Sequence, residues 1–208
     1  MTKIYFLFLC FITFANAQDY KKDTIELHET ILYDKSKFRL KRVGPETKSK
    51  SICLQFSTIK DSVKWNKPII ESFIQVNAPK KDFIVKAINF NFSYPPKEES
   101  LKFNLKLYKS SKNTPVDTVF FEKNNIEISP SDIVNQSYKL DLTDDNISYN
   151  DEFYISVLMT KRLVDEFVCL SGVILSNGFT RNLTTNGGFE KNPLGAKPSV
   201  NADLLIKR

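Results

Sequence analysis

Histidine is nearly absent from this sequence: there is one, His28. A zinc site built on several imidazoles is therefore excluded, and so is a zinc carboxypeptidase centre. A Ser-His-Asp triad would have to use His28, which lies in a polar segment beside Glu26 and Glu29, with no nucleophile-elbow motif elsewhere in the chain. His28 is therefore expected to be a solvent-facing residue. Cysteine is also scarce, at three, with no CxxC pair and no Cys/His cluster, so structural zinc is not expected. Long apolar runs are missing beyond the first residues. Arginine is sparse as well, only five of the 30 basic residues. Nucleic-acid readers favour Arg for bidentate contacts, and the lysines are interspersed with 24 acids, so nucleic-acid binding is not expected. The net charge of +6 leaves room for weak attraction to an anionic polysaccharide or membrane surface.

What is present begins with an export signal. Lys3 precedes an apolar stretch, Ile4–Phe14, and then the small-x-small triplet Ala15-Asn16-Ala17. This is the pattern of a secretory signal peptide, predicting cleavage between Ala17 and Gln18. The stretch is shorter than the roughly 20 apolar residues that cross a bilayer. Residues 1–17 are thus read as a signal peptide, and no transmembrane helix is expected after its removal. The destination is the periplasm, the cell surface or the medium. Cleavage leaves Cys53 and Cys169, for which export permits a disulfide; spacing alone leaves two buried free thiols as the alternative.

Apolar periodicity is close to two almost throughout. Leu101, Phe103, Leu105 and Leu107 alternate with Lys102, Asn104 and Lys106, the mark of a half-buried antiparallel strand. In Phe83–Ser93 one phase holds Ile84, Lys86, Ile88, Phe90 and Phe92. Further candidates are Ile52–Ile59, Ile69–Val76, Val116–Phe121, Ser137–Leu142, Phe153–Met159, Phe167–Leu175 and Val200–Ile206, nine strands in all. Turn signals separate them, among them Tyr94-Pro95-Pro96, Asn113-Thr114-Pro115 and Asn186-Gly187-Gly188. Ser129 with Pro130 predicts one helical turn, Ser129 as N-cap. The fold class predicted is all-β, an antiparallel β-sandwich of jelly-roll type. Residues 18–50 read as a basic tether or edge strand with one strand-like stretch, Thr24–Tyr33, and the sandwich is expected over residues 51–208.

The order of several short segments resembles a family of exported Bacteroidetes proteins, those containing a carboxypeptidase-like regulatory domain followed by a second β-domain. The segments are Thr24–Leu27 with Glu29, the basic connector Lys35–Arg42, Lys48-Ser49-Lys50-Ser51, Phe56-Ser57, Lys67-Pro68, Ile88–Asn91, Phe103–Tyr108, Tyr138–Leu142 and Asp151–Val157. The last is a hairpin-like stretch from Phe179-Thr180-Arg181 through Gly187-Gly188-Phe189-Glu190-Lys191 to Gly195. The likeness runs from about Thr24 over nearly all of the mature chain. Two departures stand out: the regulatory domain is missing except for its last strand-like residues, and Phe189 and Leu158-Met159 replace Trp and Glu-Trp. The resemblance implies an exported β-sandwich of unassigned activity, without carboxypeptidase chemistry and without inherited site residues.

Three functional readings follow. The first is a non-catalytic, cofactor-free binding or interaction module of the bacterial cell envelope, with an envelope protein or a glycan as partner and recognition carried by loops at one end. The second is a carbohydrate-binding module, for which Trp65, the only Trp, and Tyr94 are the candidate stacking residues; the alternative for each, and the commoner fate of a large aromatic, is to cover one end of the core. The third is a hydrolase using two carboxylates from Asp141, Asp151, Glu152, Asp165 and Glu166. Asp144-Asp145-Asn146 offers oxygen ligands for Ca²⁺ but lacks EF-hand spacing and reads as a turn.

Overall fold

The alternation in Leu101–Ser111 is obeyed by the structure: Leu101, Phe103, Leu105 and Leu107 are buried, while Lys102, Asn104 and Lys106 fall on the outer face. The computed structural model describes residues 37–54, 68–160, 166–174, 178–192 and 195–208. All lie in the compact unit Asp34–Arg208. In chain order the strands are β1 (Phe38–Val43), β2 (Cys53–Leu54), β3 (Ile70–Val76), β4 (Phe83–Tyr94), β5 (Leu101–Ser111), β6 (Thr114–Ile128) and β7 (Ser137–Asp141). They continue as β8 (Ile147–Tyr149), β9 (Phe153–Met159), β10 (Cys169–Val173), β11 (Gly178–Asn182), β12 (Glu190–Lys191), β13 (Lys197–Pro198) and β14 (Val200–Lys207). One 3-10 turn, Pro130–Asp132, follows Ser129, as the sequence predicts.

The strands form two antiparallel sheets packed as a sandwich. The first runs β1-β14-β4-β10-β13, with β2 joined to β10 and with β7 and β8 joined to β4. The second runs β12-β11-β3-β9-β5-β6. Between them lies one apolar core that includes Phe83, Phe90, Phe103, Phe153, Leu105 and Leu204. β5 and β6 form a hairpin whose two connecting residues, Lys112 and Asn113, have φ of 50° and 59°. That backbone matches the twist of a tight hairpin. Asn tolerates it, and Thr114 and Pro115 already belong to the edge strand β6, where Pro leaves no inner ladder bond unmade.

Among the described residues the strands exceed the nine predicted by five short or polar ones, β1, β8, β11, β12 and β13. Two differences have clear causes. In β4 the inward phase is Phe83 and Val85, then Ile88, Phe90 and Phe92, whereas the sequence put Ile84 and Lys86 on that face. β14 pairs Asp203 with Ala87 and Leu204 with Val85, skipping Lys86. Lys86 is the extra residue of a β-bulge, and one extra residue moves every later side chain to the other face. The sheet also begins before Ser51. Of the two readings of the basic segment, tether or edge strand, residues 38–43 take the second: they are β1, paired with β14 from Phe38↔Lys207 to Val43↔Ala202.

The reason the chain after β1 stays on the sheet is polar. On the outer face of the first sheet, Asn89, Asn91 and Ser93 of β4, Ser171 of β10, and Ser199, Asn201 and Asp203 are all buried. They form a connected column. Arg42 Nε and Nη2 donate to Asp203 at 2.7 and 3.1 Å. Asn89 Nδ2 donates to Asn201 Oδ1 (2.9 Å), and Asn201 Nδ2 donates to the Pro45 carbonyl (2.9 Å). The Thr47 N–H donates to Ser199 Oγ (2.9 Å), and Ser93 Oγ donates to the Ser49 carbonyl (2.6 Å). The backbone of 45–52 thus lies across the sheet as the partner of its buried side chains. Gly44, at φ 118°, makes the turn into this path, where a Cβ would stand 3.0 Å from Asn201. Cys53 and Cys169 are joined by a disulfide, with Cα atoms 5.6 Å apart and 116 residues between them in sequence.

Closing so long a loop restricts the unfolded chain, and native disulfides typically contribute about 2–4 kcal/mol. The double variant Cys53→Ser/Cys169→Ser is expected to lose about that much in urea unfolding. A loss below about 0.5 kcal/mol would mean that the hydrogen-bonded column alone holds the segment.

Burial would raise the Asp203 carboxyl, but bonds from Arg42 and Asn89 outweigh it and hold the pKa below the ordinary carboxylate value. The unfolded carboxyl therefore takes up its proton at higher pH than the folded one. The stabilisation is complete above the unfolded value near pH 4 and is lost as pH falls through the folded value. Asp203→Asn should cost stability at pH 6 and much less at pH 3, read from urea midpoints at both. An equal cost at both pH values would remove the charge from the explanation.

Candidate surface at the disulfide end of the sandwich

β4 ends at Tyr94 because Pro95 and Pro96 supply no N–H to continue a ladder. Tyr94 pairs across the sheet with Cys169. Two residues before Cys169 stands Phe167, and its ring meets the Tyr94 ring edge to face, centroids 5.4 Å apart at 62°. Both stay open to solvent: Tyr94 is 38% exposed and Phe167 58%. Lys50 Nζ sits 5.5 Å from the centre of the Tyr94 ring. The approach to β10 is fixed by the Glu166 carboxylate, which accepts from the N–H groups of Lys97 and Glu99. That contact folds the 97–99 turn toward the start of β10. The result is an exposed aromatic pair with one ammonium, carried at the rim where Cys169 is covalently tied to Cys53. Such a surface can stack on the apolar face of a sugar ring or receive an apolar or aromatic peptide side chain, with the ammonium adding a cationic contact.

The other sequence candidates are placed as follows. Trp65, His28, Asp165, Ala17 and Gln18 lie outside the described residues. Asp141 accepts from the Thr143 N–H at 2.9 Å; the Thr143 hydroxyl first, and then this N–H, hold its carboxyl below the ordinary value against the opposing effect of burial. Asp151 accepts from the Glu152 N–H at 2.8 Å, and Glu152 accepts from Gln75 Nε2 at 3.3 Å. Glu166 is the loop-fixing carboxylate. These four acids serve separate local contacts. Asp145 pairs with Lys123 at 2.7 Å. Among the described residues, no group of three His, Cys, Asp or Glu side chains is placed to hold a metal ion. A crevice between Leu54, Ser72, Phe179, Thr180, Asn192 and Pro198 has about 60 Å³, room for water and far below the ~300 Å³ of small-molecule pockets.

One polar cluster has no counterpart in the sequence reading. On the outer face of the second sheet, Glu71 of β3 is buried against Arg181 of β11, Nη2 to Oε2 at 2.7 Å, with side-chain exposures of 4% and 16%. Arg181 Nη2 also donates to the Tyr108 hydroxyl (2.9 Å), which in turn donates to Glu71 Oε1 (3.2 Å). Ser156 donates to the same carboxylate, and Asp117 pairs with the far side of the guanidinium. The guanidinium lies 4.9 Å from the Phe189 ring centre and 5.5 Å from those of Phe73 and Tyr108. Burial, then the charge of Glu71, pushes the Tyr108 hydroxyl up to about 12. Burial alone would lower the Arg181 pKa, and Glu71 more than offsets it. The arrangement locks β11 and the Phe189 loop to the sheet, and every buried side-chain polar atom among the described residues is satisfied. The sequence hides it because Glu71 and Arg181 stand 110 residues apart. The available signal was a charged residue inside each of two β segments.

Removing one partner of a buried pair leaves a desolvated charge, at a cost of about 3–5 kcal/mol. Arg181→Met should destabilise by that order in urea unfolding, and Arg181→Met/Glu71→Leu should recover much of the loss. Additive losses in the double variant would refute the coupling.

Comparison with known proteins places few bounds on identity. No protein-family profile matches the chain, and no curated protein matches it. Among solved structures, the cysteine protease and lectin-like domains of Cwp84, a surface layer associated protein of Clostridium difficile, overlay with a TM-score of 0.47 at 8% identity. The overlay covers 66% of this chain and 32% of that one. Among the described residues no helix is long and apolar enough to cross a membrane.

Proposed function

We propose that the chain is an exported, non-catalytic binding module of the bacterial cell envelope, and that it recognises its partner through the Tyr94–Phe167 rim. The β-sandwich fits a binding module, with strands as scaffold and a loop end as contact surface. The observation that carries the reading is the exposed aromatic pair itself. Two adjacent rings left open to water, beside a covalently tied strand, form a preorganised surface with little ordering cost on binding. The export signal and the resemblance to exported Bacteroidetes proteins supply the compartment. A glycan is the more specific reading. Tyr94 presents a partly open ring, and Trp65 offers a second stacking residue on the same chain.

The test is a thermal-shift panel on residues 18–208 with soluble glycans and peptidoglycan fragments, repeated with Tyr94→Ala, Phe167→Ala and Trp65→Ala. A ligand at ~100 times its Kd should stabilise the protein by roughly 2.7 kcal/mol. Loss of that shift in Tyr94→Ala and Phe167→Ala, with unchanged unliganded melting, is the expected result. A shift that survives both substitutions would move the site away from the rim. A flat panel would remove the glycan reading and leave an envelope protein as the partner.

A further inference from the structure

Among the described residues β1 lies at one edge of the first sheet, and its two faces differ. Phe38, Leu40 and Arg42 occupy one face, opposite Lys207, Leu205 and Asp203. Lys37, Arg39 and Lys41 alternate with them on the other face, and Arg208 joins that row because its N–H donates to the Lys37 carbonyl at 2.8 Å. All four of these cations are exposed. The lateral neighbours of Arg39 and Lys41 on β14 are Ile206 and Leu204, both fully buried, so among the described residues no acid stands beside these two in the ladder. Several cations elsewhere are engaged: Arg42 with Asp203 and Glu46, Lys102 with Glu127, Lys106 with Glu122, Lys123 with Asp145 and Arg181 with Glu71. Among the described residues, Arg39, Lys41 and Arg208 have no ion-pair partner. Alternate residues of a strand recur about every 7 Å, so Lys37, Arg39 and Lys41 form a line of charges along the strand, with Arg208 beside its first member.

We propose that this row binds a linear, acidic polysaccharide. The charge and its one-dimensional spacing call for a polyanion that can lie along the strand. The exposed apolar residue of β1, Leu40 at 66%, is on the opposite face, so the row carries no side chain to embed in a lipid surface. No aromatic residue belongs to the row, so bases have nothing to stack on, which disfavours single-stranded nucleic acid. The alternative role of such residues is to keep an edge strand from pairing with another chain. That role needs charge but gives no preference for a polymer. This surface is separate from the Tyr94–Phe167 rim, so it stands or falls independently of the reading above.

The experiment measures binding of residues 18–208 to immobilised polygalacturonate from 20 to 200 mM NaCl. Three proteins are compared: wild type, Arg39→Gln/Lys41→Gln, and a control with the same charge loss at the β5–β6 turn, Lys109→Gln/Lys112→Gln. Wild type and control should bind alike. The β1 variant should bind at least ten-fold more weakly at low salt, with a salt slope shallower by between about one and two. Circular dichroism and melting should be unchanged, since both substituted residues are exposed. An equal loss in the control would mean bulk charge alone, and would overturn the proposal. So would tighter binding, at matched salt, to phosphatidylglycerol vesicles or to an oligonucleotide.

Discussion

The buried polar column on the outer face of the first sheet is the constraint from which much of the molecule follows. Asn89, Asn91, Ser93, Ser171, Ser199, Asn201 and Asp203 would each be costly if buried without partners. The backbone of 45–52 supplies carbonyls and an N–H to several of them. Each such bond has a modest net value, because water would serve in the unfolded chain. Their effect is on specification rather than on total stability: a one-residue slip would leave several groups unsatisfied at once. Arg42 on Asp203 fixes one end of the segment, and the Cys53–Cys169 bond fixes the other.

The second sheet solves the same problem with different chemistry. Its outer face carries a buried carboxylate and guanidinium enclosed by Phe73, Tyr108 and Phe189. Here a low-dielectric surround strengthens the pair and raises the cost of breaking it. With substantial parts of both outer faces covered by the chain's own segments, the unengaged chemistry is displaced to margins. Tyr94 and Phe167 at one rim and the cation row on β1 are such margins.

Legibility in the sequence followed locality. β5 was readable because its alternation is uninterrupted and each residue sees the same two environments. The first half of β4 departs from its sequence alternation because a bulge is decided by the partner strand, through the pairing of Asp203 with Ala87 and Leu204 with Val85. β1 falls in a segment that reads equally as basic tether or edge strand; the choice depends on the ladder with β14, which is distant in sequence. The Glu71–Arg181 pair depends on the same kind of distant meeting, as does the disulfide. Tyr94 could be singled out because Pro95-Pro96 marks a strand end. Its neighbour Phe167 could not, since only the folded sheet brings the two rings together.

The positive charge shows why placement matters more than total. Lysines interspersed with acids in sequence suggest an unpatterned surface, and for Lys102, Lys106 and Lys123 that is so, each meeting an acid. On β1 the two ends of the described unit run antiparallel, and pairing brings Lys37 beside Arg208 while the acids of the neighbourhood, Glu46 and Asp203, are taken by Arg42. One Arg thus absorbs the local negative charge, and Arg39 and Lys41 keep theirs. The segment that begins at this row ends at the disulfide beside Tyr94, with Lys50 against its ring. A single stretch of chain, 38–54, therefore presents one edge of the sandwich and part of its rim. The hydrogen-bonded column beneath it keeps both surfaces in fixed relation to the first sheet.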